Sequence, residues 1–131
     1  MKQIILCVDD EKTILDSLKQ ELRNAFGEEF IYEEAENAED ALEIARGCTE
    51  EKTSLAVVIS DWLMPGIKGD EFLVRLHKTH PDAVKILITG QADQSSVERV
   101  KKEANLFAKL DKPWDPVKLM ECIKSGISLH S

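Results

Sequence analysis

Gln3–Asp10 reads QIILCVDD, an almost continuous apolar run of strand length that ends in two aspartates. Uninterrupted apolar strands are typical of parallel sheets, in which helices cover both faces. In open sheets of this kind, functional groups collect just beyond the carboxyl ends of the strands. The run Gln3–Val8 therefore predicts a buried strand, and Asp9 and Asp10 are the first candidates for a functional site.

Two more apolar runs of this kind occur at Leu55–Ile59 and Val84–Ile88, and weaker strand candidates lie at Phe30–Glu33 and Leu106–Leu110. Helical spacing of apolar residues fills the intervals between them. The predicted helices are Lys12–Phe26 before Gly27, a segment capped by Asn37 and ended by Gly47, a short one around Phe72–Leu76, Ser95–Ala104, and a last one carrying Val117–Ile127. The strand–helix alternation predicts an α/β fold, with a parallel sheet and helices on both faces.

The chain has 131 residues and a net charge of −8. This length suits one domain, and no linker, repeat or low-complexity segment divides the sequence. We therefore expect a single domain over residues 1–131, with its core at about 3–128 and no output domain. A domain this acidic repels phosphates, so we also expect no direct nucleic-acid partner.

The sequence predicts a cytoplasmic protein with no membrane partner. No apolar run reaches the ~20 residues that span a bilayer, and the N-terminal run is too short for a secretory signal. The cysteines Cys7, Cys48 and Cys122 form no metal-ligand spacing, and their odd number without such a signal suits a reducing compartment. Cys7 and Cys122 lie in apolar patterns and are predicted to be buried.

Polar side chains follow four of the predicted strands. Asp9 and Asp10 follow the first strand, Asp61 the third, Thr89 the fourth and Lys112 the fifth. Taken alone, each has an ordinary explanation as a turn, strand-end or solvated residue. Because the carboxyl ends of parallel strands share one sheet edge, these residues are predicted to converge there, and the joint arrangement favours function.

The residue types indicate phosphoryl-transfer chemistry. Two like charges ~4 Å apart repel by about 4 kcal/mol at an effective dielectric near 20, so clustered carboxylates need a cation or raised pKa values. Carboxylate oxygens and a substrate phosphate suit Mg²⁺. An ionised carboxylate attacks phosphorus without a general base and forms an acyl phosphate. Lys112 would neutralise the transferred oxygens, and the Thr89 hydroxyl would donate a hydrogen bond to them.

Four segments carry a resemblance to a known family: Val8–Glu11 (VDDE), Ser60–Gly66 (SDWLMPG), Ile88–Gly90 (ITG) and Lys112–Trp114 (KPW). In their order and spacing the chain resembles, over nearly its whole length, the receiver domains of two-component response regulators. The resemblance implies a flavodoxin-like, doubly wound, five-stranded parallel sheet of strand order 2-1-3-4-5 with five helices. It also implies that Asp61 is the phosphoacceptor.

Further roles follow from the same resemblance. Lys112 matches the lysine that pairs with the phosphate, and Thr89 matches the hydroxyl residue that follows it. Mg²⁺ would be bound directly by Asp10 and the phosphoacceptor, through water by Asp9, and by the backbone carbonyl of Leu63. The Lys112–Pro113 bond is often cis in this family.

The resemblance implies two classes of partner. A histidine kinase or phosphotransfer protein would donate the phosphoryl group, and a downstream protein or attached output domain would respond. A phosphorylation-linked dimer is compatible with the family. The domain would catalyse its own Mg-dependent phosphorylation and dephosphorylation without being an independent turnover enzyme.

Lys109 departs from the family pattern, which commonly places Tyr or Phe three residues before the lysine. The nearest aromatic residue, Phe107, is predicted to share a strand face with Lys109. Lys109 would make the output surface of the fourth helix, fifth strand and fifth helix more polar than usual. Leu63 and Gln91 occupy the positions that commonly set the rate of phosphate loss. The apolar Leu63 cannot orient an attacking water, which predicts slow dephosphorylation.

Three alternatives come from other functional classes. A phosphatase with an aspartyl-phosphate intermediate carries a second aspartate where Leu63 stands. A flavin or nucleotide module needs a donor-rich first loop, whereas Asp9–Thr13 is acidic and lacks glycine. A receiver-like scaffold that binds partners without phosphorylation stays open because of Lys109.

Overall fold

Strands and helices alternate along the whole chain, as the sequence predicts. A computed structural model describes residues 2–51, 53–90 and 94–130. The strands are β1 (Gln3–Val8), β2 (Phe30–Ala35), β3 (Leu55–Asp61), β4 (Val84–Ile88) and β5 (Ala108–Leu110). The helices are α1 (Lys12–Phe26), α2 (Ala38–Glu50), α3 (Gly69–Thr79), α4 (Gln94–Glu103) and α5 (Pro116–His130).

The strands form one parallel five-stranded sheet in the order β2-β1-β3-β4-β5, which confirms the predicted flavodoxin-like fold. At the carboxyl end of β1, Val8 lies opposite Ala35 of β2 and Ser60 of β3. Asp61 then lies opposite Ile88 of β4. The register therefore aligns the carboxyl ends of the central strands at one edge of the sheet.

Each face of the sheet buries its own apolar cluster. On the α2–α4 face, Leu6 and Val58 pack against residues of α2, α3 and α4. On the α1/α5 face, Ile5 and Val57 pack against residues of α1 and α5. Because successive strand residues point to opposite faces, both of these clusters draw on the same strands. This double burial explains why the central strands are apolar throughout.

The predicted helix signals at Gly27 and Asn37 are confirmed. Gly27 adopts a φ of 59° and donates its N–H to the Arg23 carbonyl, which ends α1. The Asn37 side chain accepts a hydrogen bond from the Asp40 N–H at 2.8 Å, which satisfies one free donor at the start of α2.

Several element ends differ from the sequence prediction. The predicted end of α2 at Gly47 is wrong, because the apolar face of the helix continues to Cys48, which is buried in the core. Strands β2 and β3 run on to Ala35 and Asp61, whereas β5 begins only at Ala108. The longer β3 places Asp61 inside the sheet ladder, where its backbone is held by β4.

The cysteines behave as small apolar residues. Cys7 and Cys48 are buried, and burial raises the pKa of the Cys7 thiol to about 12. Cys122, which was predicted to be buried, is only half-buried because it lies at the margin of the α1/α5 cluster. Among the described helices, none combines the length and apolarity needed to cross a membrane.

Candidate functional site

The polar residues that follow the strands meet at the carboxyl edge of the sheet. A groove of about 640 Å³ opens there, and Asp10, Asp61, Thr89 and Lys112 all line it. Asp9 is buried beside them, with only 3% of its surface exposed. The structure therefore brings together all five side chains that sequence spacing places at strand ends.

Three carboxylates form the centre of this groove. One oxygen each from Asp9, Asp10 and Asp61 lies within 4.8 Å of the others. Asp9 and Asp61 are buried, whereas Asp10 is exposed. The Glu11 N–H donates to Asp9 Oδ1 at 2.9 Å, which orients that carboxylate from the start of α1. The cluster is an all-oxygen set of the kind that binds hard divalent cations.

Lys112 supplies positive charge to both buried carboxylates. Its Nζ lies 2.8 Å from Asp9 Oδ2 and 3.2 Å from Asp61 Oδ2, and 3.8 Å from Glu11 Oε1. Burial works to lower the pKa of Lys112, but the hydrogen bonds and charges of Asp9 and Asp61 together outweigh it and raise that pKa overall. Lys112 is therefore held as a cation between the ends of β1 and β3. Among the described residues, no cation forms an ion pair with Asp10.

The Asp61 carboxylate is fixed from two sides. Its Oδ1 accepts the backbone N–H of Trp62 at 2.8 Å, while its Oδ2 faces Lys112. Burial, followed by the neighbouring charge of Asp9, raises the pKa of Asp61 above its ordinary value, and Lys112 opposes this rise. The result is a buried, oriented carboxylate that is more basic than a solvated aspartate.

The loop after β3 folds tightly back against the backbone of Asp61 and Trp62. The Gly69 N–H donates to the Trp62 carbonyl at 2.8 Å. A Cβ at Gly69 would lie 2.3 Å from the Asp61 carbonyl oxygen, so only glycine fits at this contact. Gly66, with a φ of 79°, provides the turn within the loop. Leu63 is 44% exposed and lines the groove beside Asp61.

Thr89 and the Lys112–Pro113 peptide bond lie at the carboxyl ends of β4 and β5 and complete the site. Thr89 is 2% exposed, and its backbone N–H donates to the Leu110 carbonyl at 3.1 Å, which ties the end of β4 to β5. The Lys112–Pro113 peptide bond is cis, as the resemblance predicts. Gln91 lies outside the described residues.

A family model described as the response regulator receiver domain matches residues 5–124. This chain belongs to that family.

Named relatives support the assignment. The receiver domain is 30% identical over 126 residues to the hydrogenase transcriptional regulatory protein HoxA of Bradyrhizobium diazoefficiens, covering 96% of this chain and 24% of that protein. It is 31% identical over 125 residues to the transcriptional regulatory protein FixJ of the same species, covering 94% and 56%. The chain therefore spans about a quarter of HoxA and about half of FixJ.

Solved structures show the same fold. A response regulator receiver domain protein (CheY-like) from Methanospirillum hungatei superposes with a TM-score of 0.86 at 29% identity, covering 99% of this chain and 97% of that one. A response regulator receiver domain protein from Clostridium thermocellum gives a TM-score of 0.82 at 31% identity, covering 96% and 94%.

The structure corrects one expectation about this receiver domain. Phe107 was predicted to share a strand face with Lys109, but it lies before β5 and packs into the α1/α5 cluster. Lys109 is the register partner of Leu87, whose side chain lies in the cluster on the α2–α4 face. Lys109 instead pairs with Asp111, its Nζ lying 2.8 Å from the carboxylate. Phe107 therefore does not replace an aromatic side chain at position 109.

The groove of the receiver domain extends beyond the residues that sequence analysis singled out for the site. It continues along α1, past Ile14, Ser17 and Glu21, to Trp114. The Trp114 indole N–H donates to Glu21 Oε1 at 2.8 Å, which closes the far end between α1 and the loop after β5. The three α1 residues follow helical spacing on one face. This spacing, together with their position just after the acidic loop, is the sequence signal that could have identified the α1 side of the groove.

Proposed function

We propose that this receiver domain accepts a phosphoryl group on Asp61 from a histidine kinase or a phosphotransfer protein. The observation that carries the proposal is the position of Lys112, which contacts two buried carboxylates, Asp9 and Asp61, at 2.8 and 3.2 Å. Holding two acids and a lysine together in the interior costs stability, and clusters of this kind are concentrated at functional sites. Asp61 is the one of the two that lines the groove.

The proposed reaction is an in-line displacement at phosphorus. A carboxylate oxygen of Asp61 attacks, the O–P bond forms, and the N–P bond of a donor phosphohistidine breaks with its electron pair leaving on the imidazole nitrogen. The raised pKa of Asp61 makes the attacking oxygen more basic, while Lys112 opposes that rise and so favours the ionised carboxylate. Lys112 and the Thr89 hydroxyl then stabilise the oxygens of the transferred group.

Mg²⁺ fits the carboxylate cluster because one oxygen from each of three aspartates lies within 4.8 Å of the others. Asp10, which forms no ion pair with a described cation, and Asp61 would hold the ion directly, with Asp9 acting through water and the Leu63 backbone carbonyl as a further ligand. When bound, the ion would offset negative charge on the phosphoryl oxygens.

The proposal extends to partners. The phosphoryl donor would be a histidine kinase or phosphotransfer protein, and the phosphorylated domain would switch an attached output domain or a separate downstream protein. Several relatives are named as transcriptional regulatory proteins, and in these the matching segment is a minor part of the chain. Phosphorylation-linked dimerisation is a further proposal within this function.

Intact mass measurement tests the proposal. The protein is incubated with Mg²⁺ and acetyl phosphate, alongside an Asp61→Asn variant and a sample with a chelator. We expect a gain of one phosphoryl group in the wild type and in neither control. A folded wild-type protein that gains no mass would leave the phosphorylation-independent binding scaffold as the better account.

A further inference from the structure

Trp62 makes two hydrogen bonds that point in different directions. Its backbone N–H donates to Asp61 Oδ1 at 2.8 Å, and its indole Nε1 donates to Asp70 Oδ1 at 3.1 Å. The Lys68 ammonium lies 5.8 Å from the centre of the indole ring, within cation–π range. Trp62 thus joins the candidate phosphoacceptor, through its backbone, to the first turn of α3, through its indole.

Asp70 passes this connection on to α4. Its second oxygen, Oδ2, lies 3.4 Å from the Arg99 guanidinium, and the same guanidinium donates to Glu71 at 2.7 Å. The Asp70 side chain is 15% exposed and that of Arg99 is 35% exposed, so water screens this pair only partly. The polar chain runs Asp61–Trp62–Asp70–Arg99 and crosses from β3 through α3 to α4.

Arg99 has a large share in fixing α4. α4 lies against α3, and its apolar side packs into the cluster on the α2–α4 face of the sheet. Its own buried residues are just Val97 and Val100. The ion pairs of Arg99 with Asp70 and Glu71 therefore add polar contacts with α3 to the small apolar contact of this helix.

We propose that Asp70 and Arg99 are positioning residues: they hold the Trp62 indole, orient Asp61 through the Trp62 backbone N–H, and thereby couple α4 to the phosphoacceptor. The proposal deepens the proposed function and rests on it for its consequence in phosphoryl transfer. A carboxylate that loses an orienting donor spends less time in a reactive geometry. Since coupling between two sites is reciprocal, a change at Asp61 also shifts the stability of the Arg99 contact.

This route needs no aromatic side chain at position 109. Lys109 is engaged with Asp111 at 2.8 Å, and Phe107 packs on the opposite face of the sheet. The polar chain through Trp62 runs instead on the α2–α4 face, where Trp62 packs against the apolar cluster. A change of charge at Asp61 therefore has a direct path to α4.

Nitrogen–proton NMR spectra test the coupling, because Trp62 reports both of its hydrogen bonds. A Trp114→Phe background identifies the indole signal of Trp62. We compare Arg99→Gln and Asp70→Asn with Arg75→Gln, a matched control that breaks an ion pair to Glu71 at 2.7 Å but has no contact with Asp70. Arg99→Gln and Asp70→Asn are expected to shift both the indole and the backbone N–H of Trp62, and Arg75→Gln neither. If Arg99→Gln and Asp70→Asn change the chemical shift of the Trp62 backbone N–H no more than Arg75→Gln does, the proposal is overturned.

The rate of phosphorylation by acetyl phosphate gives the second readout. Arg99→Gln is expected to lower the saturating rate about three- to tenfold with little change in the half-saturating donor concentration. Arg99→Lys, which keeps the charge, should recover part of the loss, and Arg75→Gln should match the wild type. Shifted Trp62 signals with an unchanged rate would overturn the positioning role. If the wild type takes no phosphoryl group, the proposed function fails, and the spectra alone decide whether the coupling exists.

Discussion

Lys112 donates a 2.8 Å hydrogen bond to Asp9, a residue 103 positions earlier in the chain. This contact joins the end of the fifth strand to the end of the first, across the mouth of the groove. It is shorter than the 3.2 Å contact between Lys112 and Asp61. Asp9 therefore anchors the lysine ammonium beside the candidate phosphoacceptor, and the lysine in turn balances the charge of both buried acids.

Removing Lys112 should destabilise the domain, because two buried carboxylates lose their cation. We expect Lys112→Ala to lower the free energy of unfolding by about 1–3 kcal/mol at pH 7, as measured by urea denaturation. Adding Asp9→Asn should restore part of that loss, because one uncompensated charge disappears. Lys109→Ala breaks an exposed pair with Asp111 and serves as the control, with a cost of at most about 1 kcal/mol. Equal costs for the two lysines would contradict this view of the site.

Leu63 should slow the loss of phosphate from the domain. Its side chain is 44% exposed at the groove and cannot hold a water molecule by hydrogen bonding. We expect Leu63→Gln to speed spontaneous dephosphorylation on the order of three- to tenfold, a barrier change of about 1 kcal/mol. The measurement follows phosphate loss after the donor is removed, with Leu63→Met as the apolar control. Equal rates for Gln and Met would count against the prediction.

Lys85 should make stability depend on pH above neutrality. This lysine of β4 is 1% exposed, its Nζ donates to the Ala83 carbonyl at 2.9 Å, and burial lowers the pKa of Lys85 from 10.5 to about 8. Between these two values the unfolded chain binds more protons than the folded one. Stability from this group is therefore lowest below pH 8 and increases as the pH rises towards 10.5.

A Lys85→Met variant isolates this effect. At pH 7 it should be more stable than the wild type by on the order of 1–3 kcal/mol, because it buries no charge. The difference should shrink when denaturation is repeated at pH 10. Lys101→Met, at an exposed position of α4, should show no such trend. A pH-independent difference for Lys85→Met would show that folding does not lower the pKa of Lys85.

Gly126 allows α5 to approach the sheet. An added Cβ would lie 2.6 Å from Val84 Cγ1, and Val84 is buried and cannot move away freely. We expect Gly126→Ala to lower the free energy of unfolding by about 1–3 kcal/mol through overpacking, despite the higher helix propensity of alanine.

Gly47→Ala is the matched control for Gly126→Ala, since Gly47 lies within α2 with open space around its Cβ position. It should stabilise the domain by up to about 1 kcal/mol. Thermal denaturation of both variants measures the two changes in stability. Changes of the same sign for Gly126→Ala and Gly47→Ala would contradict the packing argument.

Sequence patterns predicted the fold and the placement of the site residues, because both depend on local signals. The apolar runs Gln3–Val8 and Val84–Ile88 match their strands residue for residue. The end of α2 was predicted too early, at Gly47, because burial of Cys48 outweighs the tendency of glycine to end a helix. The prediction that Phe107 shares a sheet face with Lys109 was wrong because Phe107 lies before β5, where the regular alternation of side chains along the strand does not apply.

Polar side-chain pairs between separate helices and loops could not be predicted in this way, because no local sequence pattern marks them. The pair Asp70–Arg99 joins residues of α3 and α4 that sequence spacing does not relate. The hydrogen bond between Trp114 and Glu21 likewise joins α1 to the loop after β5. Such pairs depend on how helices pack on the sheet, which a single sequence shows only through their apolar faces.

The central claim is that Asp61, and neither Asp9 nor Asp10, carries the phosphoryl group. Borohydride reduces an aspartyl phosphate to homoserine, so reduction after incubation with acetyl phosphate and Mg²⁺ marks the modified residue permanently. Peptide sequencing by mass spectrometry then locates the mark. We predict homoserine at position 61 alone, and no mark in the Asp61→Asn variant. Homoserine at Asp9 or Asp10, or an unmarked wild-type protein that is folded, would contradict the assignment.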